Sequence, residues 1–339
     1  LNRYLGLERK LGKNPSLKEA YVGFMNEYLN LGHMEPAAIK HLEGDNIYYL
    51  PHHAVFKNTI SGPKIRVVFD ASAPTSNGLS LNDILLTGPT LQQDLFSILC
   101  RFRTYKYVVS ADITKMYRMI LMHENDRDFQ RILWRNEVSE PVQIYRLNTV
   151  TYGTTCAPFL AVRCLFQLAL EAENDFPLAS NIIKRDFYMD DLLSGSNSKE
   201  EALLIKGQVT KILKKGGFNL CKWTSNLDEL SAEGDHSTAI NLNKGDYKIL
   251  GFHWNCTDDQ LKYNVNIQQI STDNITKRGI LSTVSKIFDP LGLINPIVVK
   301  VKILLQLIWS QKLEWDDPLP QEIKDVWLKF VNDLSEVNN

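Results

Sequence analysis

The stretch FYMDDLLSG, Phe187 to Gly195, constrains the chain more than any other. Four strand-favouring residues, Phe187, Tyr188, Leu192 and Leu193, flank a consecutive Asp190-Asp191 pair, which reads as a β-hairpin with two carboxylates at its tip. Adjacent anions repel each other, so the pair suits a bound cation. Asp also favours turns through its own backbone hydrogen bonds, and on this stretch alone both readings stand.

The 339 residues are enough to bury a sizeable core and suggest about two to three domains or subdomains. A composition of 44% hydrophobic, 23% charged and 10% aromatic residues is that of an ordinary soluble globular protein. A net charge of −1 argues against a strongly basic nucleic-acid binder, but the charge is unevenly spread. Residues 151–205 sum to −4, between a preceding stretch at +3 and a following one at +4, an acidic centre with mildly basic flanks. Cys100, Cys156, Cys164, Cys221 and Cys256 are odd in number and form no CxxC pair, which fits a reducing compartment without structural zinc. No secretory signal opens the chain. Leu291 to Trp309 is the most apolar stretch, yet it contains Pro296, Lys300 and Lys302 and reads as buried helix, not a membrane span. A first residue of Leu1 fits a piece of a longer polypeptide.

Along the chain, Leu5, Leu7 and Leu11 mark a first helix, and Ser16 with Glu19 resembles a capping box opening a second through Leu31, closed by Gly32. Short β-rich runs follow from Ile47, IYYLPHHAVFK and KIRVVFDAS, joined across SGP as a hairpin. Next come a loop and a helix starting at Pro89-Thr90 with Leu91, Leu95, Ile98 and Leu99 on one face, then the strand KYVVSAD ending in Asp112. A helical segment near 124–131 and a hairpin over about 132–150 precede YGTTCAPF, where Pro158 sits in the first turn of a helix over 159–173. Beyond FYMDD lie a helix from Lys199 to Lys215, the Gly216-Gly217 stop, the strand FNLCKW and the β pair YKILGFHW and QLKYNV. The last third reads as helices at 279–288, 294–312 and 321–336.

Two-metal nucleotidyl transfer needs carboxylates from separate parts of the chain holding two Mg²⁺ ions roughly 3.5–4 Å apart. Asp112 at a strand end and Asp190-Asp191 on a hairpin supply such a set if their strands are neighbours. YMDD on a hairpin, DITKMY at 112–117 and YGxxxAPF at 152–159 resemble, in order and spacing, the three palm motifs of reverse transcriptases. The whole chain is similar to the polymerase region of BEL/Pao-type LTR retrotransposons, including KIRVVFDAS, GLSLND, LNTVTYGTTCAPF, LGFHW and TKRGILSTVSKIFDPLGLINP.

The resemblance implies an α+β right-hand polymerase: an N-terminal helical lead-in (1–46), fingers (47–105 and 123–150), palm (106–122 and 151–256, the latter with the primer-grip hairpin) and a helical thumb or connection (257–339). It implies that Asp112 and Asp191 bind both metals with the Ile113 carbonyl, that Asp190 is a less direct third carboxylate, and that Mn²⁺ can replace Mg²⁺. Tyr117 would be a steric gate against a ribose 2′-hydroxyl. Lys64 and Arg66, two apart on a strand and so on one face, would cradle the triphosphate, Arg66 foremost, with Lys57 a further candidate. Gly153 and Pro158 would form the template-side turn, with no side chain at Gly153 to keep the backbone from the nucleotide. Tyr152 stands where many retroviral enzymes have Gln; it could stack or donate through its hydroxyl. Lys222 would protonate the leaving pyrophosphate, Gly251, Phe252, His253 and Trp254 would grip the primer, and Lys277, Arg278 and Lys286 would track phosphates.

The chain holds no Asp-Thr-Gly or Asp-Ser-Gly of an aspartic protease, and no complete RNase H carboxylate set can be placed after the thumb region. His52-His53 reads as a surface pair on the fingers. The expected activity is RNA- and DNA-directed DNA synthesis from dNTPs on a primed template, in the cytoplasm within a retrotransposon particle and without a membrane. Protease, RNase H and integrase regions of a parent polyprotein would be its partners. The competing expectation is a catalytically silent or domesticated remnant that binds nucleic acid or protein.

Overall fold

A computed structural model of the chain describes residues 1–37, 47–59, 62–231, 246–262 and 275–335. It is an α+β structure with antiparallel sheets. From the N terminus run α1 (Asn2–Gly12), α2 (Pro15–Asn30), β1 (Met34–Pro36), β2 (His52–Thr59), β3 (Gly62–Phe69), α3 (Leu81–Ile84), α4 (Leu95–Phe102) and β4 (Tyr107–Ile113). There follow β5 (Arg131–Trp134), β6 (Gln143–Leu147), α5 (Ala157–Glu171), α6 (Pro177–Arg185), β7 (Phe187–Tyr188), β8 (Asp191–Ser196), α7 (Lys199–Lys215) and β9 (Leu220–Ser225). Last come α8 (Asp228–Ser231), β10 (Asp246–Ile249), β11 (Phe252–Asn255), β12 (Gln260–Lys262), α9 (Lys277–Val284), α10 (Asn295–Ser310) and α11 (Gln321–Ser335). The sheets have the orders β1-β6-β5, β2-β3, β7-β8-β4-β9 and β10-β11-β12. Two compact units are formed, one from Leu1–Gln92, Asp112–Leu192 and Leu204–Cys221, the other from Gln93–Ala111, Leu193–Leu203 and Lys222–Asn339.

In the first unit, apolar residues at helical spacing turn one face of each N-terminal helix inward: Tyr4, Leu7 and Leu11 from α1, and Leu17, Tyr21, Met25 and Tyr28 from α2. They join Val67, Phe69, Ile132, Trp134 and Leu147 in one core, where full burial of a side chain such as Leu17 or Met25 stabilises by about 1.5–3 kcal/mol. The start of α2 differs from expectation. Asn14, not Ser16, is the cap, its side chain accepting from the Leu17 amide at 3.1 Å, because Pro15 has no N–H to satisfy and takes the first helical position. The strands β2 and β3 pair with Thr59 opposite Gly62 and Lys57 opposite Lys64, so the expected hairpin forms, with its turn residues 60 and 61 outside the described residues.

The pairing of β2 splits the two histidines. His53 is exposed, but His52 is 7% exposed and lies in the core, contrary to a surface pair, because successive strand residues face opposite sides. Its ring nitrogens face the Tyr21 hydroxyl at 2.5 Å and the Leu133 carbonyl at 3.0 Å, a pattern that a neutral imidazole satisfies completely. Burial holds its pKa down at about 4, against 6.5 for a free imidazole. The unfolded chain therefore binds a proton near pH 6.5 that the folded chain refuses until about pH 4, and stability falls as pH drops through that window, by roughly 1.4 kcal/mol per unit. In urea titrations between pH 7 and 4.5, His52→Gln is expected to reduce the acid loss by about half, the buried His33 supplying a like share, and His53→Gln to leave it in place.

In the second unit, α9, α10 and α11 close on Ile280, Val301, Leu304, Ile308, Ile323 and Trp327. The helix expected from Pro89 starts instead at Leu95, where the Asp94 side chain caps it by accepting from the Ser97 amide at 2.8 Å. Leu91 is left outside the helix. The segment near 124–131 is a 3₁₀ helix over Glu124–Gln130, and α6 appears where no helix was read. The later part of QLKYNV, from Tyr263, lies outside the described residues. No helix among the described residues is long and apolar enough to cross a membrane.

Candidate active site

Pairing at the ends of two neighbouring strands sets the backbone after Asp112 beside that of Asp190. Asp112 is the penultimate residue of β4, and the next amide, Ile113 N–H, donates to the carbonyl of Asp190 at 2.8 Å. On the other side the Thr114 amide donates to the Asn219 carbonyl at 2.9 Å, so the segment after Asp112 is fixed from both flanks. In the hairpin, Phe187 faces Leu192 and Tyr188 faces Asp191. The two aspartates therefore do not share the tip: Met189 and Asp190 make the turn, and Asp191 opens β8. The turn needs left-handed backbone, and Met189 supplies it at φ +55°, an uncommon conformation for a side-chain-bearing residue. Its amide is held by the Gln92 side-chain oxygen at 3.1 Å. Asp190 is exposed, while Asp112 and Asp191 are half-buried.

These donors are all hard oxygens, as Mg²⁺ requires. Among the described residues no three His, Cys, Asp or Glu side chains are grouped closely enough to enclose an ion by themselves. Mg²⁺ is ordinarily held by one or two carboxylates together with waters and substrate phosphates, so the set fits the ion without a closed protein cage.

Tyr117 lies in the 3₁₀ turn Met116–Met119 that follows Asp112. Burial, and then the charge of Asp190, push its hydroxyl pKa up, which places the phenol within electrostatic reach of the hairpin. On β3 the alternation of exposed Lys64 and Arg66 with buried Val67 and Phe69 sets both cations on the outward face, as expected. Lys57 is opposite Lys64 by backbone register, and its side chain is outside the described residues.

The turn at Tyr152-Gly153 is locked to β3. The Tyr152 hydroxyl donates to the Val67 carbonyl at 2.6 Å, so it is engaged within the protein. Gly153 has φ +104°, and a Cβ there would stand 2.5 Å from the Phe69 carbonyl oxygen. The close approach that requires glycine is thus to the protein's own backbone. Asn82, within GLSLND, fastens the same turn: its side chain donates to the Gly153 carbonyl at 3.0 Å and to Ser72 Oγ at 2.8 Å, and accepts from the Thr155 amide at 2.9 Å. The sequence offered a signal for its placement, the Ser80–Asp83 capping box that orients α3. Pro158 stands in the first turn of α5.

The remaining candidates belong to the second unit. Lys222 is exposed on β9 at φ +55°. β10 and β11 form the expected hairpin, turned at Leu250-Gly251 with φ +46° and +95°. The alternation of β11 buries Phe252 and Trp254, which are 2% and 0% exposed, and Trp254 Nε1 donates to Asp259 at 2.9 Å. Their rings belong to the core and are not available to a primer. Lys277 is likewise buried, its ammonium donating to the Leu313 carbonyl at 3.3 Å and lying over Trp309 and Trp315. Arg278 is exposed and forms a two-point pair with Asp316 at 2.8 and 3.0 Å. Lys277 is therefore unsuited to tracking phosphates, because its charge is taken up inside the unit, whereas Lys286 is exposed.

Comparison with known proteins agrees with this layout. Residues 71–228 match the family described as reverse transcriptase (RNA-dependent DNA polymerase), and residues 276–339 match the Pao retrotransposon-like RNaseH-like domain. Among the described residues the latter stretch contributes three helices and no extended strand. None of the curated proteins compared with the chain matches it. A foamy viral protease-reverse transcriptase solved with RNA/DNA hybrid aligns with a TM-score of 0.64 at 15% identity, covering 96% of this chain and 38% of its own. A second foamy viral protease-reverse transcriptase structure, with double-stranded DNA, aligns with a TM-score of 0.59 at 16% identity over 91% and 46% of the two chains. The chain thus spans less than half the length of these structures. The residues that carry the carboxylates thus lie within a match to the reverse transcriptase family, and the chain has the polymerase fold of these structures. The stretch beyond that match is similar to the Pao retrotransposon-like domain.

Proposed function

We propose that this chain extends a primer on an RNA or DNA template, with the primer 3′-hydroxyl attacking the α-phosphate of a dNTP and pyrophosphate leaving. The observation that carries the reading is the joining of the Asp112 strand end to the YMDD turn through the Ile113–Asp190 hydrogen bond. Asp112 and Asp191, with the Ile113 carbonyl, would hold the ions, and Asp190 would add negative charge beside them. Two Mg²⁺ or Mn²⁺ ions, when bound, activate the attacking hydroxyl and neutralise the phosphates. The protein's part is positioning: Arg66 and Lys64 present positive charge on one face of β3, and the turn at Gly153, pinned by Asn82, supports the template side. Lys222 is assigned the proton delivered to pyrophosphate, a contribution of about 10²–10⁴-fold.

Fingers over 47–105 and 123–150, palm over 106–122 and 151–256, and a helical thumb or connection over 257–339 remain the assignment of subdomains. Template, primer and dNTPs are the substrates, in a cytoplasmic retrotransposon particle, with the other enzymes of a polyprotein as partners. Tyr117→Ala tests the reading: incorporation of ribonucleotides should rise strongly while deoxynucleotide incorporation continues. Unchanged selectivity in a folded, active variant would remove Tyr117 from the gate.

A further inference from the structure

Between Asp112 and the end of the Tyr117 turn the chain carries two cations, Lys115 and Arg118, which flank the tyrosine on either side. Both are tied to a residue of the N-terminal helix α2. Glu27 Oε1 accepts from Lys115 Nζ at 2.5 Å and from Arg118 Nη2 at 3.0 Å, a single carboxylate oxygen serving both. Arg118 is 8% exposed, with its guanidinium 4.2 Å from the centre of the Tyr28 ring and its Nε–H donating to His33 Nδ1 at 2.8 Å. The arrangement needs a neutral His33, and burial together with the Arg118 charge keeps its pKa down at about 4. Lys115 has φ +53°, a backbone conformation that L-residues seldom adopt unaided, and its carbonyl accepts from the Arg118 amide at 2.8 Å to close the turn.

We propose that Glu27 is a positioning residue for sugar selection: by clamping Lys115 and Arg118 it fixes the turn that carries the Tyr117 ring, so that a helix outside the reverse transcriptase match sets the stringency of the gate. The inference rests on the polymerase reading above. A gate made of one ring excludes a hydroxyl only if the ring cannot retreat, and a loosened turn lets it do so. Glu27 is itself half-exposed, its pair with the exposed Lys115 contributes little to stability, and the buried Arg118 keeps its bond to His33 and its place over Tyr28, so removing the Glu27 charge should affect selection more than folding.

Single-nucleotide incorporation of dNTP and of the matching rNTP, with kcat and KM for each, would be measured for the wild type, Tyr117→Ala, Glu27→Gln and Glu8→Gln. Glu8→Gln is the control, since Glu8 pairs with Arg135 at 2.6 and 2.9 Å and touches neither flanking cation. Glu27→Gln is expected to lower discrimination about tenfold, chiefly through a lower KM for the rNTP, with kcat for dNTP within about twofold of wild type and the melting temperature unchanged. Lys115→Met, which releases one arm, should shift discrimination in the same direction and serves if Glu27→Gln does not fold. Discrimination equal to that of Glu8→Gln, while Tyr117→Ala still admits rNTPs, would overturn the role of Glu27. A wild type that incorporates neither nucleotide would instead overturn the polymerase reading, and the clamp with it.

Discussion

Asp191→Asn is expected to abolish primer extension, a loss of at least about 10³-fold, in a protein that still folds and binds primer–template. The amide keeps the shape of the carboxylate and removes its charge, which is the property a divalent ion needs. Asp191 is half-buried at the start of β8, opposite Tyr188, so its position is set by strand pairing and survives the substitution. Asp190→Asn is expected to abolish extension as well. Extension at wild-type rate by folded Asp191→Asn would exclude Asp191 as a metal ligand.

The second large effect is structural. Gly153→Ala puts a Cβ 2.5 Å from the Phe69 carbonyl oxygen at φ +104°, and a strand backbone atom cannot swing away as a side-chain tip can. The expected loss is about 2–4 kcal/mol in urea unfolding, from backbone strain and the displaced contact together. Asn82→Ala, which strands the Gly153 carbonyl and the Thr155 amide, should cost about 1–3 kcal/mol and slow nucleotide addition through the same turn. A Gly153→Ala protein as stable as wild type would show that the turn does not need its glycine.

The features legible in the sequence are those whose signals are local. The helix over Lys199–Lys215 is found with its expected ends, since periodicity and the acidic first turn lie within it and the Gly216-Gly217 stop follows directly. The carboxylate strand and its hairpin were likewise marked by short runs and by spacing. What was not legible depends on partners far along the chain. Lys115 and Glu27 are 88 residues apart, and nothing near either marks the pair. His52 and His53 look alike in sequence, and only the face of β2 that meets Tyr21 and Leu133 separates them. Phe252 and Trp254 show the same limit: the hairpin was recognised, but which side of β11 faces the core depended on Phe102, whose ring lies 5.4 Å from that of Trp254.

The central claim, that the Asp112 strand end and the YMDD turn form a polymerising site, is tested most directly by single-nucleotide addition to oligo(dT) on poly(rA) as a function of divalent metal, with binding of the primer–template followed in parallel. The account predicts no addition in chelator, metal-dependent addition of dTTP with Mg²⁺ or Mn²⁺, and none without template. A folded protein that binds the primer–template but adds no nucleotide with either metal would contradict it.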